Sequence, residues 1–203
     1  MKILGVNCSP RKGKTTYYAL AQCLAAAREE NKGLETEIIE LGGMNIRGCN
    51  ACGHCKEKLG CSIEDDFAGL IPALRDLNVK GMVIATPVYF GTMASQCKAF
   101  LDRCVMFRRN GFIFRNRVGG VLAVGGVRNG GQELTLQAVQ AALLCQDMLV
   151  VGDGLTTSHF GAALYSGGEG GIQKDETGLA TARNLGKRVA SAIDMLRKGR
   201  NNK

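Results

Sequence analysis

No apolar run in the 203-residue sequence approaches the roughly 18 residues that a membrane-crossing helix needs. The opening Met1-Lys2-Ile3-Leu4-Gly5-Val6 is too short for a signal-peptide core and leads directly into a folded-domain pattern. A cytoplasmic protein without membrane association is the expectation. No helix-turn-helix, RNA-recognition or zinc-finger pattern accompanies the formal charge of +8, which argues against nucleic acid as a partner. Histidine is scarce: His54 lies among cysteines and His159 is isolated, so no acid–base pair stands out. The nine cysteines are an odd number, and a disulfide framework does not suit a reducing compartment. No internal repeat is present.

What remains fits one α/β domain over residues 1–203, with 45% apolar and 22% charged residues. The cationic patches at Arg108, Arg109, Arg115 and Arg117 and from Arg197 to Lys203 read as a solvated face and a frayed tail. Their sharper reading is a docking surface for an acidic partner or a phosphate-bearing cofactor. Residues 2–7 form a first apolar strand, followed by a helix with Leu20, Cys23, Leu24 and Ala27 on one face. Glu35 to Leu41 alternates as a second strand. Asp65 and Asp66 stand at the N-cap of a helix that buries Phe67, Leu70, Ile71, Leu74 and Leu77. Gly81 to Ala85 is a strand buried on both faces, and a loop holding Pro87 and Gly91 leads to a helix with Cys97, Phe100, Leu101 and Cys104 in register. Val118 to Val124 is the fourth strand, and a helix follows to about Gln146. Met148 to Val151 is the fifth strand. The glycine-rich stretch Gly161–Gly171 reads as a flexible loop or interface element, and Ala182, Leu185, Val189, Ile193 and Leu196 line the last helix. Five strands alternating with five helices predict a doubly wound parallel sheet. The loops after strands one, three and four then share the carboxyl edge, where such sheets bind ligands.

The first of these loops runs Asn7-Cys8-Ser9-Pro10-Arg11-Lys12-Gly13-Lys14-Thr15-Thr16. Main-chain N–H groups at a helix start attract anions, the hydroxyls of Ser9, Thr15 and Thr16 add donors, and Arg11 and Lys14 add charge. A monoester phosphate fits such a loop. Gly13-Lys14-Thr15 also resembles the end of a nucleotide-binding P-loop, but that motif needs glycine at position 8, where Cys8 stands. It also wants an acidic residue after a later strand, and the third strand ends in Thr86-Pro87.

Four cysteines fall within thirteen residues, Cys49, Cys52, Cys55 and Cys61, spaced C-x2-C-x2-C-x5-C. Tetrathiolate sites hold zinc or an iron–sulfur cluster. Structural zinc usually pairs two C-x2-C knuckles across a long spacer, whereas a compact triple is closer to the ferredoxin run. Ser62 replaces the proline that follows the fourth ferredoxin cysteine. Zinc and redox-active free thiols remain the alternatives to a cluster, and His54 reads as a neighbour of the ligands. Cys8, Cys23, Cys97, Cys104 and Cys145 sit in apolar surroundings and read as buried core residues.

Ser9-Pro10-Arg11 with Thr15 resembles the FMN phosphate loop of the NADPH-dependent FMN reductase and iron–sulfur flavoprotein family. Thr86-Pro87-Val88-Tyr89-Phe90-Gly91 and Lys98-Ala99-Phe100-Leu101-Asp102-Arg103 resemble its flavin-ring loop and helix. Gly125-Gly126-Val127-Arg128-Asn129-Gly130-Gly131-Gln132-Glu133 resembles its third flavin loop. The resemblance spans residue 3 to about 155, with Lys14 as a departure from the usual loop. It implies a flavodoxin-like five-stranded parallel sheet with a cysteine-rich insertion at about 44–64 after the second strand. FMN would be held by Ser9, Arg11, Gly13, Lys14, Thr15 and Thr16, by Pro87, Val88, Tyr89, Phe90 and Gly91, and by Gly126, Asn129, Gly130 and Gln132. A [4Fe–4S] cluster would sit on Cys49, Cys52, Cys55 and Cys61. Electrons would pass between cluster and FMN, with ferredoxin or NAD(P)H as donor, a small oxidant or quinone as acceptor, and no side-chain acid or base. A homodimer or homotetramer is implied, for which the glycine-rich stretch at about 158–175 and the cysteine segment are candidate interfaces. The rivals are a cluster-free NAD(P)H-dependent FMN or quinone reductase and a non-enzymatic electron carrier.

Overall fold

In the computed structural model, which describes residues 1–201, the sequence alternation becomes a sheet covered on both faces. The elements are β1 (Lys2–Asn7), α1 (Thr15–Glu30), β2 (Glu35–Glu40), α2 (Phe67–Arg75), β3 (Val79–Tyr89), β4 (Thr92–Met93), α3 (Ser95–Arg103), α4 (Val105–Arg109), β5 (Val118–Gly125), α5 (Gln132–Leu144), β6 (Leu149–Val150), β7 (Ala162–Tyr165) and α6 (Glu176–Asn201). The parallel order β2-β1-β3-β5-β6 is the expected flavodoxin-like one, and its direction of winding reverses between β1 and β3. Of the tail from Arg197 to Lys203, residues to Asn201 continue α6, while Asn202 and Lys203 lie outside the described residues.

Period-two alternation divides the sheet between two cores. Leu4, Val6, Met82, Ile84, Val121 and Ala123 face Phe67, Leu70, Leu74, Phe100, Leu136, Val139 and Leu143 of α2, α3 and α5. Ile3, Val83, Ala85, Leu122 and Val124 face Leu20, Cys23, Leu24, Leu185, Val189 and Ile193 of α1 and α6. Both layers are apolar, so the central strands are buried whichever way a side chain points.

Several expectations are corrected. The third strand does not end at Thr86-Pro87: β3 runs to Tyr89 and folds back through β4, with Pro87 lying beyond the end of the β1 ladder, where that side of the strand needs no donated hydrogen bond. The fifth strand position is shared. β6 pairs with Val118 and Gly119, the chain leaves the sheet, and β7 returns to pair with Leu122 to Gly125. The supposed glycine-rich loop thus contains a strand with Ala162 and Leu164 buried. The helix through Cys104 breaks there into α3 and α4. Leu77 lies beyond the end of α2 and is exposed. Cys145 is exposed too, off the Leu136–Val139–Leu143 stripe of α5. Asp66 does not cap α2 with its side chain; its carboxylate accepts the N–H of Asn45.

Between β2 and α2 the chain makes a long excursion, residues 41–66, whose one regular piece is a single 3-10 turn at His54–Lys56. Connections of this length without secondary structure are uncommon in α/β domains and usually functional. All four clustered cysteines lie on it.

Candidate functional site

The loop after β1 is built around Glu40, which the sequence reading did not single out. Its carboxylate accepts the Asn7 amide at 3.0 Å and the Gly13 N–H at 2.9 Å, tying the loop to the end of β2. The Ser9 N–H donates to Asn7 Oδ1, and the Ser9 hydroxyl accepts the Arg11 N–H at 3.2 Å. Ser9 and Thr16 are buried, Thr15 is half-buried, and Arg11, Gly13 and Lys14 are exposed. α1 then begins with neither a capping side chain nor an acid in its first turn. Its leading N–H groups therefore face the loop without a side-chain cap among the described residues, under three exposed cations (Arg11, Lys12, Lys14). That is a ready anion seat, although the Gly13 N–H already serves Glu40.

The second loop is a two-residue hairpin. Phe90 and Gly91 turn it with φ of 47° and 78°, the positive pair that a tight type I′ hairpin requires. Thr86 anchors its base, accepting the Ala94 N–H at 3.2 Å. Pro87 is buried and Val88 half-buried, so only Tyr89, Phe90 and Gly91 project, Phe90 being fully exposed. A phenylalanine held at positive φ and bare to solvent is strained and unsatisfied, a pairing found at ligand sites.

The third loop meets the second directly. Gly131, at φ 95°, brings its backbone so close to Gly91 that a Cβ there would stand 3.1 Å from the Gly91 Cα. Gly126 and Asn129 are exposed and Gly130 half-buried. Gln132 is turned inward: its amide donates to Val127 O at 2.7 Å and Leu164 O, while its oxygen accepts the Gly130 N–H. It shapes the loop and does not face its mouth. Thus the fold brings all three predicted loops to one edge, over the β1/β3 reversal.

The cysteine segment lies beside this edge. Cys49, Cys52, Cys55 and Cys61 line one small cavity, closed on the protein side by Arg103, Val105, Met106 and Arg109 from α3 and α4. All four thiols are free of disulfides. Among the described residues, no three His, Cys, Asp or Glu side chains are gathered tightly enough to hold a single metal ion. Four thiols around a common cavity are the number that an iron–sulfur cluster takes, each thiolate binding its own iron. Cationic side chains against it complement thiolate charge. Arg109 Nη1 donates to Cys55 Sγ at 3.2 Å. The Ser62 hydroxyl, then the His54 backbone and Arg109, hold the exposed Cys52 thiol below its ordinary pKa.

Residues missed at the sequence level join the two regions. A groove of about 840 Å³ runs between Pro10, the 43–48 stretch and the start of α3, lined by Met44, Asn45, Ser95 and Gln96 among others. The Gln96 amide donates to Leu41 O and Met44 O, fastening α3 to the excursion. Buried Arg103 does so more firmly, through Asp65, Arg47 O and Ile63 O. Gln96 carries no motif of its own and Arg103 lies in the segment likened to a flavin-ring helix; only their partners, far away in sequence, reveal this clamping role.

The geometry can be set beside known proteins. The model of the NADPH-dependent FMN reductase family matches residues 1–163. An iron–sulfur flavoprotein of Methanocaldococcus jannaschii is 39% identical over 98% of this chain and 100% of its own length. One of Methanosarcina thermophila is 36% identical over 98% of this chain and 99% of its own. The solved structure of a flavodoxin, WrbA-like protein from Agrobacterium tumefaciens superposes with a TM-score of 0.64, covering 96% of this chain and 98% of that one. At 19% identity that likeness establishes the fold alone. Among the described residues no helix is long and apolar enough to cross a membrane. With three Gly-bearing loops on the β1/β3 edge and four thiols beside them, the chain belongs to the NADPH-dependent FMN reductase family, as a flavin-dependent oxidoreductase related along its whole length to iron–sulfur flavoproteins.

Proposed function

We propose that the chain holds FMN on the β1/β3 edge and a [4Fe–4S] cluster on Cys49, Cys52, Cys55 and Cys61, and moves electrons between them. Together the two groups would supply one- and two-electron chemistry, linking NAD(P)H or ferredoxin as donor to a small oxidant or quinone as acceptor. The observation that carries this reading is the course of the consecutive helices α3 and α4. This helix pair leaves the Tyr89–Phe90–Gly91 hairpin at Ser95 and ends against the cysteine cavity, with Arg103, Met106 and Arg109 in its wall.

The chain's own residues have separable tasks here. The α1 start, the Ser9 hydroxyl, Arg11 and Lys14 would bind the phosphate; Thr15 and Thr16 would complete the turn. Tyr89, Phe90 and Gly91, together with Gly126, Asn129 and Gly130, would hold the flavin ring, with Gln132 setting the third loop's shape. No side chain need move a proton. Exposed Leu155 and Phe160 beside the glycine-rich stretch support a subunit interface there in a homodimer or homotetramer. The protein would act in the cytoplasm.

Anaerobic purification followed by an absorption spectrum and iron and sulfide analysis tests this. Flavin bands over a broad iron–sulfur shoulder, with about four irons per chain, are expected. Reduction that bleaches the shoulder yet leaves bound FMN oxidised would refute the coupling. Flavin without iron would leave a cluster-free reductase, and no flavin at all would overturn the whole reading.

A further inference from the structure

Arg103 is among the most deeply buried charged residues of the protein, 2% exposed. Its two terminal nitrogens grip the Asp65 carboxylate at 2.7 and 3.1 Å and also donate to Arg47 O and Ile63 O. The ring of Phe67 lies 4.8 Å from its guanidinium carbon. The fork is therefore fixed, and one donor is left over: Nε–H is buried and has no partner among the described residues. Arg103 lines the cysteine cavity, and Cys61 is the sulfur that acts on its guanidinium. Burial works against the charge, but the Asp65 carboxylate and the Cys61 sulfur outweigh it and hold the guanidinium above its ordinary value. A buried unsatisfied donor costs roughly 1–3 kcal/mol, so a fixed one on a residue that lines a ligand cavity calls for an acceptor. Arg109 makes the matching contact already, Nη1 to Cys55 Sγ at 3.2 Å.

We propose that Arg103 and Arg109 are hydrogen-bond donors to the sulfurs of the cluster, Arg103 Nε–H beside Cys61 and Arg109 Nη1–H at Cys55, and that they raise its reduction potential. This rests on the cluster reading above. Reduction adds one electron, with no proton and no bond broken, so the negative charge on the sulfurs grows. Fixed N–H donors then stabilise the reduced form more than the oxidised one. Asp65 is a positioning residue: it holds the fork so that Nε is left for the cavity.

The test uses the holoprotein with Arg103→Lys and Arg109→Gln. The first keeps a cation beside Asp65 and deletes the Nε donor; the second replaces the charged guanidinium donor at Cys55 by a shorter, neutral amide on an exposed residue, where folding is not at risk. Each iron-loaded variant should show about a tenfold shift of the one-electron equilibrium toward the oxidised cluster, about 59 mV more negative by redox titration followed by EPR. With ¹⁵N-labelled arginine, pulsed EPR of the reduced wild type should show guanidinium nitrogen coupled to the cluster, weakened in each variant. Iron-loaded variants with the wild-type potential would overturn the proposal. If Arg103→Lys does not load iron, an unmoved potential in Arg109→Gln together with no nitrogen coupling in the wild type overturns it. A wild type without iron would instead sink the cluster reading itself.

Discussion

Replacing Asp65 with asparagine should be among the costliest single changes outside the apolar core. The Arg103 and Asp65 side chains are 1% and 0% exposed and 2.7 Å apart, so water screens neither. The Asp65 carboxylate also accepts the N–H groups of Arg47 at 2.9 Å and Phe67 at 3.2 Å, which binds the cysteine segment to the start of α2. Asparagine keeps the volume but turns one acceptor into a donor and strands a buried guanidinium. Breaking one side of a buried pair costs about 3–5 kcal/mol. In a protein of this size that lowers the melting temperature by roughly 6–20 °C. The pair also carries a pH signature. Burial pushes Asp65 toward its neutral form, but Arg103 and the Arg47 and Phe67 N–H groups outweigh it, so the carboxyl titrates below its ordinary 3.8. A carboxyl lowered on folding adds stability in full above its ordinary value and loses it as pH falls through the lowered one. Urea denaturation of iron-free wild type and Asp65→Asn, at pH 7 and in acid, reads both effects. The gap should be several kcal/mol at pH 7 and narrow in acid. A loss under about 1 kcal/mol at pH 7 would refute the assignment of this pair as the clamp between segment and sheet.

Other expectations follow from the same geometry. Gly131→Ala forces a side chain into a left-handed conformation at about 1–2 kcal/mol and pushes Cβ against the Gly91 backbone, so FMN affinity by fluorescence titration should drop about tenfold. Unchanged affinity would show that contact between the two loops does not shape the flavin seat. Phe90→Asn should raise stability by roughly 1 kcal/mol, since asparagine tolerates φ 47° better, while FMN binding weakens; a lower melting temperature would contradict the strain argument. In iron-free protein, iodoacetamide at neutral pH should label Cys52, lowered chiefly by Ser62, well before Cys23, which burial lifts to about 12. Peptide mapping reads the order, and early labelling of Cys23 would refute the burial account.

Much of the architecture was legible because it depends on short-range pattern. The stripe Leu20, Cys23, Leu24, Ala27 packs as its helical spacing demands, and the apolar run Gly81–Ala85 is a central strand. The cysteine spacing named its own segment, and four sulfurs at those intervals do line one cavity. The breaks in reading came where partners decide. Ala162–Tyr165 is a strand because β6 ends early and leaves the Leu122–Gly125 edge open, which no local propensity announces. Gln132 carries a motif position, but tertiary acceptors at Val127 and Leu164 turn its amide inward.

The sequence by itself determined the alternation of strands and helices, the placement of three glycine-bearing loops after parallel strands, and a compact tetrathiolate set. These rest on periodicity, turn chemistry and spacing, all of which act between residues close along the chain. Only the tertiary structure decided that Glu40 holds the loop after β1, that Gly91 and Gly131 touch, and that Arg103 reaches from α3 to Asp65, 38 residues away, with its Nε–H left without a partner among the described residues. Those contacts depend on which distant groups are buried together. In a water-free interior, the need to pair every charge and donor then selects among side chains whose sequence positions are silent.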